Sequence, residues 1–214
     1  AMKRGARDFL TKPVDADKLE ALLESAAEEL ELRERARELE RELESEEAGL
    51  GSLVGRTDAM ETVFRAVRLL AENDASAIIT GESGTGKEVV ARTIHGLSDR
   101  SDGPFEAVNA AAIPEGLIES ELFGHVEGAF TGAKQSRPGY FERADGGTLL
   151  LDEISEMPME LQPKLLRIIE EGSVRRVGGD DMIPFEVRVL AATNRSPEEA
   201  IEEGRLREDL FYRL

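Results

Sequence analysis

The chain has 214 residues, 40% of them hydrophobic, enough for one sizeable domain with a real core plus an appendage. A formal net charge of −18 repels phosphodiester backbones and argues against direct DNA binding by this segment. The absence of cysteine excludes disulfides and thiolate metal sites and agrees with a reducing cytoplasm; no apolar run reaches membrane-spanning length, and the N-terminus lacks the apolar core of a signal peptide.

Residues 1–15 read as a helix end, a turn, a brief apolar stretch at Phe9 and Leu10, and a break at Lys12-Pro13, with Asp15 placed as an N-cap. Residues 16–46 are dominated by Ala, Leu, Glu and Arg and hold no Gly or Pro, which predicts a continuous helix about 45 Å long. Leu19, Leu23, Ala26 and Leu30 form one stripe, and Leu32, Ala36, Leu39 and Leu43 a second, out of phase. Two readings stand: a solvated, charge-laced linker, or a dimerising coil, the second preferred because a lone helix of this length needs a partner to bury its leucines. Gly49, Gly51 and Gly55 mark a hinge. The expected domains are therefore 1–16, 17–50 and 51–214.

From there the pattern alternates. Thr57 caps a helix carrying Met60, Val63, Phe64, Val67 and Leu70 on one face. Strands are predicted at 77–80, 105–109, 148–151 and 187–192, with helices near 87–97, 115–123 and 158–171 between them. Strands separated by helices imply an α/β fold, a parallel sheet covered on both faces. Ser173–Gly179 and Met182–Glu186, around Gly-Gly-Asp-Asp, read as a hairpin inserted before the last strand.

Gly81-Glu82-Ser83-Gly84-Thr85-Gly86-Lys87-Glu88 follows the apolar Ala77–Thr80 and opens a helix, the context in which backbone N–H groups wrap nucleotide phosphates. Glycine lets the backbone approach the phosphates, and Lys87 supplies a cation to the β- and γ-phosphates. Gly146-Gly147-Thr148-Leu149-Leu150-Leu151-Asp152-Glu153 is a buried strand ending in adjacent carboxylates. Asp152 is assigned to Mg²⁺ and Glu153 to the attacking water, against the alternative of an acidic N-cap. Val187–Arg195 is another strand that delivers Thr193 and Asn194 to its C-terminal end, where open α/β sheets keep their ligands. Asn194 is placed near the γ-phosphate or the water; an ordinary turn is the competing reading.

Together with Glu121-Leu122-Phe123-Gly124-His125-Val126-Glu127-Gly128-Ala129-Phe130-Thr131-Gly132-Ala133, these motifs resemble the AAA+ ATPase core of bacterial enhancer-binding proteins, the NtrC-type activators of sigma-54 RNA polymerase. The hexapeptide GAFTGA is that family's hallmark. The resemblance implies a P-loop ATPase using ATP and Mg²⁺ in a ring, expected to be a hexamer. Gly128, Ala129, Phe130, Thr131, Gly132 and Ala133 would tip a loop that grips sigma-54, with Phe130 and Thr131 in contact. Asn109 resembles the switch residue that holds Glu153 inactive. Arg207 and Arg213 match arginines that reach the neighbouring subunit's ATP site; their competing reading is surface pairing with Glu202, Glu203 or Glu208. Val54 and Gly55, within Leu53–Arg56, resemble the adenine-pocket segment, and Ala144, Asp145, Gly146 and Gly147 are included among the nucleotide-binding positions. Glu88 stands where a general P-loop has Ser or Thr, a departure usual in this family.

Ala1–Pro13 resembles the end of a response-regulator receiver domain, with Lys12 as the phosphate-contacting lysine and a cis bond expected at Pro13. The chain is accordingly expected to be a piece of a longer, cytoplasmic two-component regulator. Its partners would be sigma-54 polymerase, a sensor histidine kinase, copies of itself, and DNA through a C-terminal domain missing here; the helical lid is also expected to be absent. His95 is read as a surface or packing residue on the helix after the glycine loop and His125 as part of the insertion leading to the loop tip, two isolated histidines making no metal site. Arg175 and Arg176 face either a ring pore or solvent. The competing functions are an AAA+ unfoldase, which would lack GAFTGA, and an inert interaction fragment.

Overall fold

The computed structural model describes residues 49–214; the receiver-like segment, its Lys12-Pro13 and the linker helix lie outside the described residues. Leu50 and Leu53 pair in a short bridge, and Leu53 is buried. Helix α1 (Asp58–Ala71) follows, its N-terminus capped as expected by the Thr57 hydroxyl, which accepts from the Met60 N–H at 3.3 Å. Strand β1 (Ala77–Thr80) leads through the glycine-rich loop into α2 (Lys87–Gly96). Then come β2 (Phe105–Asn109), a 3-10 turn (Ala110–Ala112), α3 (Glu115–Phe123), α4 (Tyr140–Arg143) and β3 (Thr148–Asp152). A second 3-10 turn (Ile154–Glu156) leads to α5 (Gln162–Glu171), the hairpin β4 (Ser173–Arg175) and β5 (Met182–Pro184), and β6 (Arg188–Thr193). Two short helices close the described chain, α6 (Pro197–Glu202) and α7 (Glu208–Phe211).

The main sheet has four strands in the order β1-β6-β3-β2, every neighbouring pair parallel. Its residues alternate between two apolar layers. Leu149, Leu151, Val189 and Ala191 pack with Phe123, Phe141 and Leu165, whereas Leu150, Leu190 and Ala192 pack with Phe64, Val67, Ala91 and Ile94. Both faces are thus buried, which is why β3 and β6 read as near-continuous apolar runs. The hairpin pairs antiparallel outside the main sheet, with Val174 opposite Ile183.

One helix boundary differs from the sequence expectation. The helix placed at 158–171 begins at Gln162, because Pro163 has no N–H to close a turn onto residue 159 and is accommodated only in a first turn.

Candidate nucleotide site and the loop above it

Register carries four strand tips to one edge. Thr80 of β1 lies opposite Thr193 of β6, and Asn109 of β2 opposite Asp152 of β3. The Gly81 N–H continues the ladder to the Thr193 carbonyl at 3.2 Å, which fixes where the glycine loop leaves the sheet. The loop turns through left-handed backbone at Gly84 (φ +82) and Gly86 (φ +89), conformations that cost a side chain but not glycine. Gly86 is the N-cap of α2 and offers no side-chain cap, so the first N–H groups of that helix suit an anion. Glu82, Ser83 and Thr85 are exposed on the loop. Glu88 points along the outside of α2 to Arg92, with Arg92 Nε donating at 2.9 Å.

Lys87 is buried at the loop's base. Its ammonium donates to the carbonyls of Gly81 (2.9 Å) and Glu82 (3.4 Å) and lies 3.6 Å from Glu153 Oε1, with side-chain exposures of 9% and 13% for the pair. Glu153 also accepts the Asn194 backbone N–H at 3.2 Å. Glu153 has φ 52 and ψ 51, and it alone among the described non-glycine residues has positive φ. Left-handed backbone on a non-glycine residue is strain of the kind found at working sites. Below it, Ser155 and Thr193 share a buried hydroxyl–hydroxyl hydrogen bond of 3.0 Å that ties the ends of β3 and β6 together.

Asp152 is half-buried. Its Oδ1 accepts the Glu153 N–H (3.0 Å) and its Oδ2 accepts from Asn109 Nδ2 (3.1 Å). The expected Asn109–Glu153 contact is therefore replaced by Asn109–Asp152. The β2–β3 register puts Asn109 beside Asp152, and the left-handed turn at Glu153 swings the next carboxylate towards Lys87 instead. Asn109 Oδ1 meanwhile accepts the N–H groups of Ala111 (2.9 Å) and Ala112 (3.2 Å). No group of three or more His, Cys, Asp or Glu among the described residues forms a metal cage. Asp152 alone fits Mg²⁺ of the kind held by one or two carboxylates together with substrate phosphates.

A second expectation is corrected here. Ala144, Asp145, Gly146 and Gly147 lie at the N-terminal end of β3, whereas the glycine loop leaves the C-terminal end of β1, and all strands are parallel. A five-residue strand at ~3.3 Å per residue puts about 16 Å between the two edges. These residues serve the fold. A Cβ on Gly147 would lie 1.9 Å from the Pro104 carbonyl oxygen, and Asp145 Oδ1 accepts the Glu186 N–H at 2.8 Å. Val54 is 85% exposed. Gly55 sits against Met60, where an added Cβ would come 2.4 Å from its Cγ.

Arg207 N-caps α7 and pairs with Asp209 (Nε 2.9 Å, Nη2 2.6 Å), a partner different from the glutamates considered from sequence. Arg213 is exposed just beyond that helix. Among the described residues neither arginine makes a hydrogen bond or ion pair with Lys87, Asp152 or Glu153. Sequence reasoning passed over Gln162, which is fully buried. Its signal was a polar side chain sharing a helical stripe with Leu165 and Ile168.

The segment 128–133 is a closed turn. The Gly128 N–H donates to the Ala133 carbonyl (2.9 Å) and the Ala133 N–H to Phe130 (3.0 Å), with Gly128 and Gly132 at φ +80 and +110. Phe130 is 37% exposed and meets the buried His125 ring edge-on at 5.0 Å. Ala129 packs on the β4–β5 turn, where a Cβ on Gly178 would lie 2.8 Å from the Ala129 Cβ. Arg176 of that hairpin is fixed by Glu142 at 2.6 Å, while Arg175 is exposed. His95, the other histidine, is buried with Nδ1 3.0 Å from Thr148 Oγ1, and burial holds its imidazole below the usual value.

The chain belongs to the Sigma-54 interaction domain family, which it matches over residues 53–214. Its AAA+ P-loop core is the α/β sheet described above. The chain is 49% identical over 214 residues to the regulatory protein LuxO of Vibrio cholerae, covering 100% of this chain and 46% of LuxO. It is 47% identical to the DNA-binding transcriptional regulator NtrC of Salmonella typhimurium, again over 100% of this chain and 45% of that protein. It thus spans about half the length of the curated relatives it matches. Among solved structures, NtrX from Brucella abortus in complex with ATP aligns with a TM-score of 0.70 at 39% identity, covering 100% of this chain and 44% of NtrX.

Proposed function

We propose that this chain is the ATP-hydrolysing core of a sigma-54-dependent transcriptional activator of a two-component system. It works as a cytoplasmic ring, expected to be a hexamer, whose 128–133 loop remodels sigma-54 RNA polymerase. The observation that carries the reading is one sheet edge holding the glycine loop, Lys87, Asp152 and Glu153, with the Asn109-capped segment starting there and running into the loop. Family membership supports the same conclusion. Among the described residues no helix is long and apolar enough to cross a membrane. Dimerisation through residues 17–50, control by a sensor kinase, and DNA contact through a separate domain belong to the same proposal.

Glycine-loop N–H groups and Lys87 bind the triphosphate, whose charge draws the ammonium from the Gly81 and Glu82 carbonyls and from Glu153. Mg²⁺, when bound at Asp152, neutralises charge on the phosphates. Glu153, kept in place by the Asn194 N–H, orients a water and takes its proton as the water oxygen bonds to the γ-phosphorus. The bond to the β-phosphate bridging oxygen breaks, leaving ADP and phosphate. Arg207 and Arg213 of a neighbouring subunit neutralise the developing charge. Val54 and Gly55 border the base.

Asn109 joins this chemistry to the loop. One end of its amide holds Asp152, and the other caps the 3-10 turn that leads into α3 and then the 128–133 turn. A change at Asp152 is thereby passed to Phe130 along continuous backbone.

The test compares Lys87→Ala and Phe130→Ala in the protein at its full encoded length, with ATP turnover and sigma-54 open-complex formation measured in parallel. Lys87→Ala should lose both; Phe130→Ala should keep ATP turnover and lose promoter opening. Promoter opening by Lys87→Ala at the unaltered rate would refute the proposal.

A further inference from the structure

Gln162 is the first residue of α5 and is wholly buried, yet no part of the chemistry above uses it. Its side chain spends its hydrogen-bonding capacity on backbone from two separate segments. Nε2 donates to the Met157 carbonyl at 3.1 Å and to the Arg205 carbonyl at 2.7 Å, and Oε1 accepts the Arg207 N–H at 2.8 Å. Met157 closes the 3-10 turn that starts at Glu153, through Glu156 N–H to Glu153 carbonyl (2.9 Å) and Met157 N–H to Ile154 carbonyl (3.1 Å). Arg205–Arg207 is the irregular stretch between α6 and α7 from which the Arg207 side chain departs.

We propose that Gln162 is a positioning residue for Arg207. It clamps the backbone from which Arg207 projects to the turn that follows its own subunit's Glu153, and so sets the aim of an arginine that works in the neighbouring subunit's ATP site. The inference rests on the reading of Arg207 as a residue acting across the ring. Three directional bonds to carbonyls and an N–H fix position and rotation together, which apolar packing at Leu206 cannot do. The same clamp makes the Glu153 turn of one subunit and the reach of its arginine a single rigid piece. Nearby, Glu156 pairs with Arg195 (3.3 Å) and Arg205 (3.5 Å), but these pairs are exposed, so the buried amide is the directional restraint.

The experiment uses the full encoded length with Gln162→Met, which keeps length and loses polarity, and Gln162→Glu, which keeps the oxygen that accepts from Arg207 but turns the two donor contacts repulsive. A misplacement near 1 Å at a reacting group costs about 100-fold. Gln162→Met should therefore lower kcat by about 100-fold while KM and ring assembly, read by sedimentation, stay within about twofold.

The deciding arm mixes subunits. Gln162→Met retains a sound P-loop, and Lys87→Ala retains a sound Arg207 clamp. A mixture should turn over ATP at least about tenfold faster than either alone, because some intact P-loops then face a well-aimed arginine. A mixture of Arg207→Ala with Lys87→Ala is the control. If the control recovers activity and the Gln162→Met mixture does not, Gln162 acts on its own subunit's site and the proposal is overturned. If the control itself fails, the cross-ring reading of Arg207 falls and takes the proposal's premise with it. Should Gln162→Met not fold, Gln162→Glu enters the same mixture; if neither folds, Gln162 is a residue of the fold and the proposal is likewise overturned.

Discussion

Glu153 combines two requirements that oppose each other, and a pair of substitutions separates them. Its backbone at φ 52, ψ 51 is left-handed, where a Cβ crowds the following carbonyl at a cost of about 1–2 kcal/mol. Glu153→Ala and Glu153→Gly both remove the carboxylate, its contact with Lys87 and its acceptance of the Asn194 N–H, so those losses cancel between them. What remains is the Cβ strain, offset by the greater unfolded-state entropy of glycine, about 0.5–1 kcal/mol. Glu153→Gly should therefore exceed Glu153→Ala in stability by about 0.5–1 kcal/mol, or roughly 1–4 °C in Tm for a domain of this size. The assay is a pair of urea and thermal melts, with ATP hydrolysis abolished in both proteins. At Arg65, exposed in the middle of α1, the same two substitutions should rank the other way, glycine being about 1 kcal/mol the less stable. If Glu153→Gly melts at or below Glu153→Ala while the Arg65 pair behaves normally, strain is not stored at this carboxylate and the argument fails.

Gly147→Ala should destabilise by about 3 kcal/mol or more, since its Cβ would lie 1.9 Å from the Pro104 oxygen, whereas Gly128→Ala, with open space around it, should cost only about 1–2 kcal/mol of backbone strain; urea midpoints compare them. Burial holds the His95 imidazole below 6.5, so the folded protein stays neutral there while the unfolded chain takes up a proton. Stability is then full above pH 6.5 and falls as pH drops from 6.5 towards the folded value, and the melting of His95→Gln on either side of that pH should lack this contribution. His125→Ala removes the edge contact with Phe130, worth about 0.5–1.5 kcal/mol, so amide exchange at Gly128 and Ala133 should quicken by about 2- to 10-fold; unchanged exchange would show that the ring contact does not hold the turn closed.

The sheet was legible because each buried strand is an apolar run that ends in a polar residue. Ala77–Thr80, Thr148–Asp152 and Arg188–Thr193 announce both their burial and the edge that carries the site. Periodicity also placed α1 with its Thr57 cap. What a linear reading could not supply was pairing between distant segments. Asn109 meets Asp152 and not Glu153 because two strands 43 residues apart align in that register and because Glu153 takes an unusual φ. Counting Ala144, Asp145, Gly146 and Gly147 with Asp152 and Glu153 among the nucleotide-binding positions failed for a geometric reason, since a strand carries its two ends to opposite edges of the sheet. Gln162 stood out only as a polar residue in an apolar stripe; what it binds left no trace in sequence, because its three partners are backbone atoms.

In the proposed mechanism, Asn109 is where a small event at the sheet edge would be passed towards the 128–133 loop. Its amide is used at both ends, by Asp152 on one side and by the Ala111 and Ala112 N–H groups on the other. Hydrogen bonds involving a charged partner contribute about 1.5–3 kcal/mol, so drawing Asp152 towards a cation trades a comparable energy against the amide's hold on the 3-10 turn. That turn cannot yield gradually, because Ala110, Ile118, Leu122 and Phe123 are packed in the core on the same path. A packed segment passes between discrete arrangements more readily than it bends. Beyond α3 the chain is held at His125, by backbone bonds with Arg137, and at Ala133, which is buried, while Gly128, Phe130, Thr131 and Gly132 between them face solvent. Gly128 and Gly132 have open space around them, and the Phe130 side chain meets the ring edge of His125 while its carbonyl accepts the Ala133 N–H. In the proposed mechanism a packed path from Asn109 to Phe123 would carry a displacement to a small turn at 128–133 that moves as a unit, closed by its own two hydrogen bonds.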